Sequence, residues 1–120
     1  MAGRLTISTL NDDTGVLATQ NGMSGIAKAW VNFNGATGNR NGSFNVSSVT
    51  RIGTGQYTVN FTTAMPNANY AVNMTLTDGN AYIGTINPSV QTTSSVGLYG
   101  WTAGSAFFDS TRVFVSVFSS

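Results

Sequence analysis

From Ala27 to Phe118 the chain repeats one pattern: apolar side chains at every second position, broken by short runs rich in Gly and Asn. Ala27, Ala29, Val31 and Phe33 alternate with Ile26, Lys28, Trp30 and Asn32; Tyr57, Val59 and Phe61 alternate with Thr58 and Asn60; Tyr70, Val72, Met74 and Leu76 alternate with Ala71, Asn73 and Thr75. A period of two is the pleat of a β-strand with one face in a core and the other in water. The 3.6-residue period of an amphipathic helix is nearly absent. The last segment, Arg112 to Phe118, sets Val113, Val115 and Val117 against Phe114, Ser116 and Phe118, so it is expected to be a central strand or an interface strand. Phe44 and Val46 are expected to begin one strand, and the shift to Val49 implies a bulge near Ser47-Ser48. Asn21-Gly22, Asn34-Gly35, Asn41-Gly42 and Asp78-Gly79 are dipeptides that tolerate positive φ in tight turns, and Gly53-Thr54-Gly55 and Met65-Pro66-Asn67 supply further reversals. Strands at this spacing predict an all-β fold, an antiparallel β-sandwich of jelly-roll-like type with roughly seven or eight strands.

The 120 residues are enough for one hydrophobic core. Charged residues make up 8% of the chain and the net charge is +1, so no strong field draws in nucleic acid or an anionic membrane. No apolar run approaches a membrane span, and the first residues lack the apolar core of a signal peptide. These features lead to the expectation of a soluble protein made in a cytoplasm, with no nucleic-acid partner and no membrane insertion. Without Cys there is neither a disulfide framework nor a thiolate metal site.

Groups that titrate near neutral pH are missing, since His, Cys and Glu are absent. Asp12, Asp13, Asp78 and Asp109 each sit beside turn-forming residues, where Asx-turn and capping roles account for them. The Asn11 to Gly15 run lacks the alternating oxygen ligands of a calcium loop. Gly35, Gly38 and Gly42 around Arg40 lack the Gly-Lys-Ser/Thr ending and the helix of a phosphate loop, so a long hairpin loop is expected there. Asn45, Asn60 and Asn73 begin glycosylation-type triplets that an Asn- and Thr-rich strand composition produces by chance. The expectation is a protein with no catalytic, cofactor or metal site.

Two segments remain as candidates for contact. Tyr82, Tyr99 and Trp101, with Asn80 nearby, combine aromatic faces with an amide, which suits stacking on sugar rings and equally suits a core or a subunit seam. The N-terminal residues break the main pattern: Leu5, Ile7 and Leu10 alternate weakly and then Asn11-Asp12-Asp13-Thr14-Gly15 interrupts. This segment is either a first strand of the domain or an extended arm that adds to a neighbouring sheet. The expected division is an attachment segment over 1–22 and a sandwich domain over 23–120.

Lys28 to Gly35, "KAWVNFNG", and Phe44 to Val72, "FNVSSVTRIGTGQYTVNFTTAMPNANYAV", together resemble a β-domain of bacteriophage virion proteins. That domain is found at the end of tail-fibre-like chains and in small structural proteins. The resemblance implies a virion structural protein, with homotrimeric symmetry. Fibre chains carry long shafts ahead of this domain, and only a short segment precedes it here. The expected role is therefore a small capsid decoration or cement protein, an oligomeric knob bound to the major capsid protein through Arg4, Leu5, Ile7 and Leu10. The alternative is a tail- or head-fibre tip that binds host-surface glycan through Asn80, Tyr82, Tyr99 or Trp101. Either role places the protein in the virion after synthesis in the infected bacterium.

Overall fold

The computed structural model describes residues 3–11, 13–18, 24–78 and 82–119, with the backbone alone for 16–18. Two four-stranded antiparallel sheets pack face to face. The first sheet has the order β4 (Arg40–Phe44), β3 (Ala29–Phe33), β10 (Arg112–Phe118), β7 (Ala71–Thr77). The second has the order β5 (Val46–Gly53), β6 (Gln56–Phe61), β9 (Ser95–Thr102), β8 (Tyr82–Asn87). The expected antiparallel β-sandwich is the observed architecture.

The core lies between the four central strands. Ala29, Val31 and Phe33 of β3 and Val113, Val115 and Val117 of β10 face Tyr57, Val59 and Phe61 of β6 and Val96 and Leu98 of β9, all buried. Each large apolar side chain removed from water here contributes roughly 1.5–3 kcal/mol before the entropy of ordering is subtracted. Phe33 meets Tyr57 edge to face at 5.1 Å and Phe61 meets Tyr70 at 5.7 Å, the geometry that aromatic quadrupoles favour. β10, apolar on both faces, is a central strand of the first sheet, hydrogen-bonded to β3 and β7.

Between β4 and β5 the chain changes sheets at a single residue. Phe44 and Val46 are not on one strand: Asn45 stands between β4 and β5 at φ 55°, and Phe44 is exposed while Val46 is buried. Asn tolerates this left-handed conformation, and its side chain secures the crossing. Its amide donates to the carbonyls of Lys28 at 3.0 Å and Thr63 at 3.1 Å, and its Oδ1 accepts from the Thr63 N–H at 2.7 Å. The register of β5 on β6 then slips between Val46 and Ser48, which places the expected bulge at Ser47.

Turn chemistry is redistributed. Asn34 forms an Asx-turn with the Ala36 N–H at 2.8 Å, but the positive φ of the β3–β4 loop falls on Gly38, at 77°, and not on Gly35. Gly35 is required for space: a Cβ there would lie 2.5 Å from both the Tyr57 hydroxyl and the Ser110 carbonyl. Asn41-Gly42 is not a turn. It runs within β4, where Gly42 pairs with Asn32. Gly53-Thr54-Gly55 does reverse the chain, with Gly55 at φ 65°. Asn21-Gly22 and Gly79 lie outside the described residues.

The N-terminal segment joins neither four-stranded sheet. Thr9–Asn11 (β1) and Val16–Ala18 (β2) pair with each other in a separate hairpin. This differs from a first strand of the sandwich, because the alternation there is too weak to offer an inward apolar face.

Candidate contact surfaces

The end of the sandwich that carries Gly55 and Asp109 is tied by a carboxylate. Asp109 Oδ1 accepts from the Tyr57 hydroxyl at 2.7 Å and the Gly55 N–H at 2.8 Å, and Oδ2 accepts from Arg51 Nη2 at 2.6 Å and Nε at 3.1 Å. Partial burial pushes the Asp109 carboxyl up, but the hydrogen bonds from Arg51, Gly55 and Tyr57 outweigh it and hold the group below the usual carboxylate range. Burial, followed by the Asp109 hydrogen bond, raises the Tyr57 hydroxyl well above its ordinary value. Asp78 is engaged likewise: it accepts from the Thr111 N–H at 2.9 Å and the Thr111 hydroxyl, which lower its pKa. Both carboxylates are ionised fasteners between loops. Among the described residues, no three acidic, His or Cys side chains gather as a metal site would require.

The aromatic residues divide between two faces. Tyr99 and Trp101 project from β9 on the outer face of the second sheet, beside Thr85 and Ile83 of β8. Phe107 folds back to bridge Trp101, stacking on it at 4.1 Å and meeting Tyr99 at 5.5 Å. The Trp101 indole N–H donates to the Thr85 hydroxyl at 3.0 Å. Tyr82 is separated from this cluster; it stacks on Phe108 at 4.5 Å with the rings 6° from parallel. Asn80 lies outside the described residues. Sequence reasoning passed over Phe107 and Phe108, although adjacent aromatics in an extended segment point to opposite faces and so divide between Trp101 and Tyr82.

The outer face of the first sheet carries a second aromatic surface. Across the strands, Phe44, Trp30, Ser116 and Asn73 form one row, and Gly42, Asn32, Phe114 and Thr75 form the next. Trp30, Asn32, Asn73, Thr75, Phe114 and Ser116 line a shallow groove of about 330 Å³. The signal was present in "AWVNFNG", where Trp30 occupies the otherwise polar face.

Of the attachment residues, Arg4 is exposed, and Leu5, Ile7 and Leu10 are 82%, 41% and 61% exposed. Leu10 sits in β1 opposite Leu17. Residues 26–28 and Ser119 meet at the end of the sandwich opposite Asp109, around an apolar recess of about 550 Å³ that Phe44, Met65 and Pro66 also line.

No protein-family model, curated protein or solved structure matches the chain.

Proposed function

We propose that this chain is a bacteriophage virion structural protein, a small capsid decoration or cement protein whose sandwich forms the knob and whose N-terminal hairpin grips the shell. The observation that carries the reading is the exposure of Leu5, Ile7 and Leu10 on a segment that contributes no strand to either sheet of the sandwich. Apolar side chains exposed on a segment outside both sheets are available to a partner surface. The resemblance of Lys28 to Gly35 and Phe44 to Val72 to phage virion β-domains supplies the partner class, a major capsid protein. It also supplies the trimeric symmetry. The face of the second sheet that presents Ile83, Trp101 and Phe107 in one row suits the seam between protomers, where aromatic and aliphatic side chains are favoured.

The reading is tested by substituting Leu5→Asp and Leu10→Asp together in the full chain and measuring co-sedimentation with capsids that lack the protein. Binding is expected to fall by about a hundredfold, as for the loss of two buried apolar anchors. Undiminished binding would remove the hairpin from the attachment role.

A further inference from the structure

The chain has two tryptophans, Trp30 and Trp101, and their surroundings differ in kind. Trp101 is used internally, with one face against Phe107 and its N–H on Thr85. Trp30 is 43% exposed, and among the described residues no aromatic ring stacks on it and no partner accepts its N–H. Its benzenoid edge rests over Gly42, where a Cβ would lie 3.5 Å from Cζ3. Gly42, a turn candidate by sequence, lies in β4 beneath the indole, where even a Cβ would be in ordinary contact with the ring. Around Trp30, the side chains of Asn73, Thr75 and Ser116 make no hydrogen bond among the described residues, while Asn32 accepts one from Asn41 at 3.3 Å. On the second sheet Asn60 donates to Ser48 at 3.0 Å and Thr50 at 3.3 Å, polar groups satisfying one another across strands.

We infer that the groove of Trp30, Asn32, Asn73, Thr75, Phe114 and Ser116 is a binding site for a neutral saccharide. An aromatic face takes the C–H side of a pyranose ring, and amide and hydroxyl groups with spare donors and acceptors take its hydroxyls. None of the lining residues is charged, so the groove itself supplies neutral hydrogen-bonding groups and no ionic partner, which favours a neutral sugar over a sulfated, phosphorylated or acidic one. Its volume of about 330 Å³ falls at the small end of ligand sites and fits a short stretch of oligosaccharide. A protein partner would need roughly 800 Å² of matched surface per side and would bury these amides without ensured partners. The site is distinct from the Tyr99–Trp101 cluster and does not depend on where the chain sits in a particle.

The test applies the full-length protein to an array of neutral oligosaccharides of glucose, galactose, mannose, rhamnose and N-acetylglucosamine, with sialylated and sulfated oligosaccharides alongside. The best neutral binder is then titrated against the fluorescence of a Trp101→Phe variant, in which Trp30 is the sole tryptophan. Saturable change of that fluorescence is expected, and titration calorimetry of variants in the otherwise unchanged chain is expected to give affinity about tenfold or more weaker in Trp30→Ala, partly restored in Trp30→Phe, and several-fold weaker in Asn73→Ala. The inference is overturned by no neutral binder at millimolar concentration, by binding confined to the acidic sugars, or by affinity unchanged in Trp30→Ala and Asn73→Ala. It is equally overturned if Trp30→Ala dissolves an oligomer, which would make the face a contact between copies.

Discussion

Replacing Asp109 tests the claim that this carboxylate fastens the loops at one end of the sandwich. In Asp109→Ala, the Tyr57 hydroxyl and the Gly55 N–H both lose their acceptor. Each unpaired buried donor costs about 1–3 kcal/mol. Asp109 is itself partly exposed, so water reaches the vacated position and the combined loss is expected near the lower half of the sum, about 2–4 kcal/mol. Asp109→Asn keeps an oxygen for Tyr57 and Gly55 but turns an amide toward Arg51, for an expected loss of about 1 kcal/mol. Arg51→Ala, which breaks a partly exposed pair and leaves Asp109 its two other donors, is expected to cost least of the three. The pH dependence follows from the sign of the shift. With the folded pKa of Asp109 below its unfolded value, the contribution is fully present above the unfolded pKa of about 3.9 and is lost as pH falls through the folded pKa. Urea unfolding followed by intrinsic fluorescence at neutral pH and at steps below pH 4 gives both readings. The reasoning is refuted if Arg51→Ala costs as much as Asp109→Ala, or if wild type and Asp109→Asn lose stability identically on acidification.

A second expectation concerns two glycines that look alike in sequence. Gly35→Ala should destabilise by about 1–3 kcal/mol, because its Cβ would meet the buried Tyr57 hydroxyl and a backbone carbonyl that cannot both retreat. Gly42→Ala, whose Cβ has ordinary contact with Trp30, should leave the urea midpoint nearly unchanged; equal effects of the two would contradict the packing argument. The Leu5→Asp, Leu10→Asp variant used for capsid binding should unfold within about 0.5 kcal/mol of wild type, since both side chains are solvent-exposed, and a larger loss would place the hairpin within the folding unit.

The strands were legible where burial and periodicity agree. β3, β6, β7 and β10 show in sequence the alternation that the structure buries, because a two-residue period has only one way to place an apolar face inward. The sheet switch at Asn45 was not legible: Phe44, Asn45 and Val46 continue the alternation unbroken, and the change of sheet turns on a single left-handed residue. Local dipeptide preference also misplaced Asn41-Gly42, where pairing with β3 outweighs the tendency to turn. Tyr82, Tyr99 and Trp101 read as one cluster because all three lie near one another in sequence, yet β8 offers Tyr82 to Phe108 while β9 sends Trp101 to Phe107. The hub at Asp109 joins residues 58 apart to Arg51 and 52 apart to Tyr57, a separation that no local motif signals.

The central claim, a sandwich knob held to a capsid by its N-terminal hairpin, is tested most directly by cryo-electron microscopy of the intact particle. The account predicts density for this chain at symmetry-equivalent positions over the whole shell, in threefold clusters, with Leu5, Ile7 and Leu10 against the major capsid protein and the Asp109 end pointing outward. Density confined to the tail or to fibre tips, or a hairpin that touches no shell protein, would contradict it.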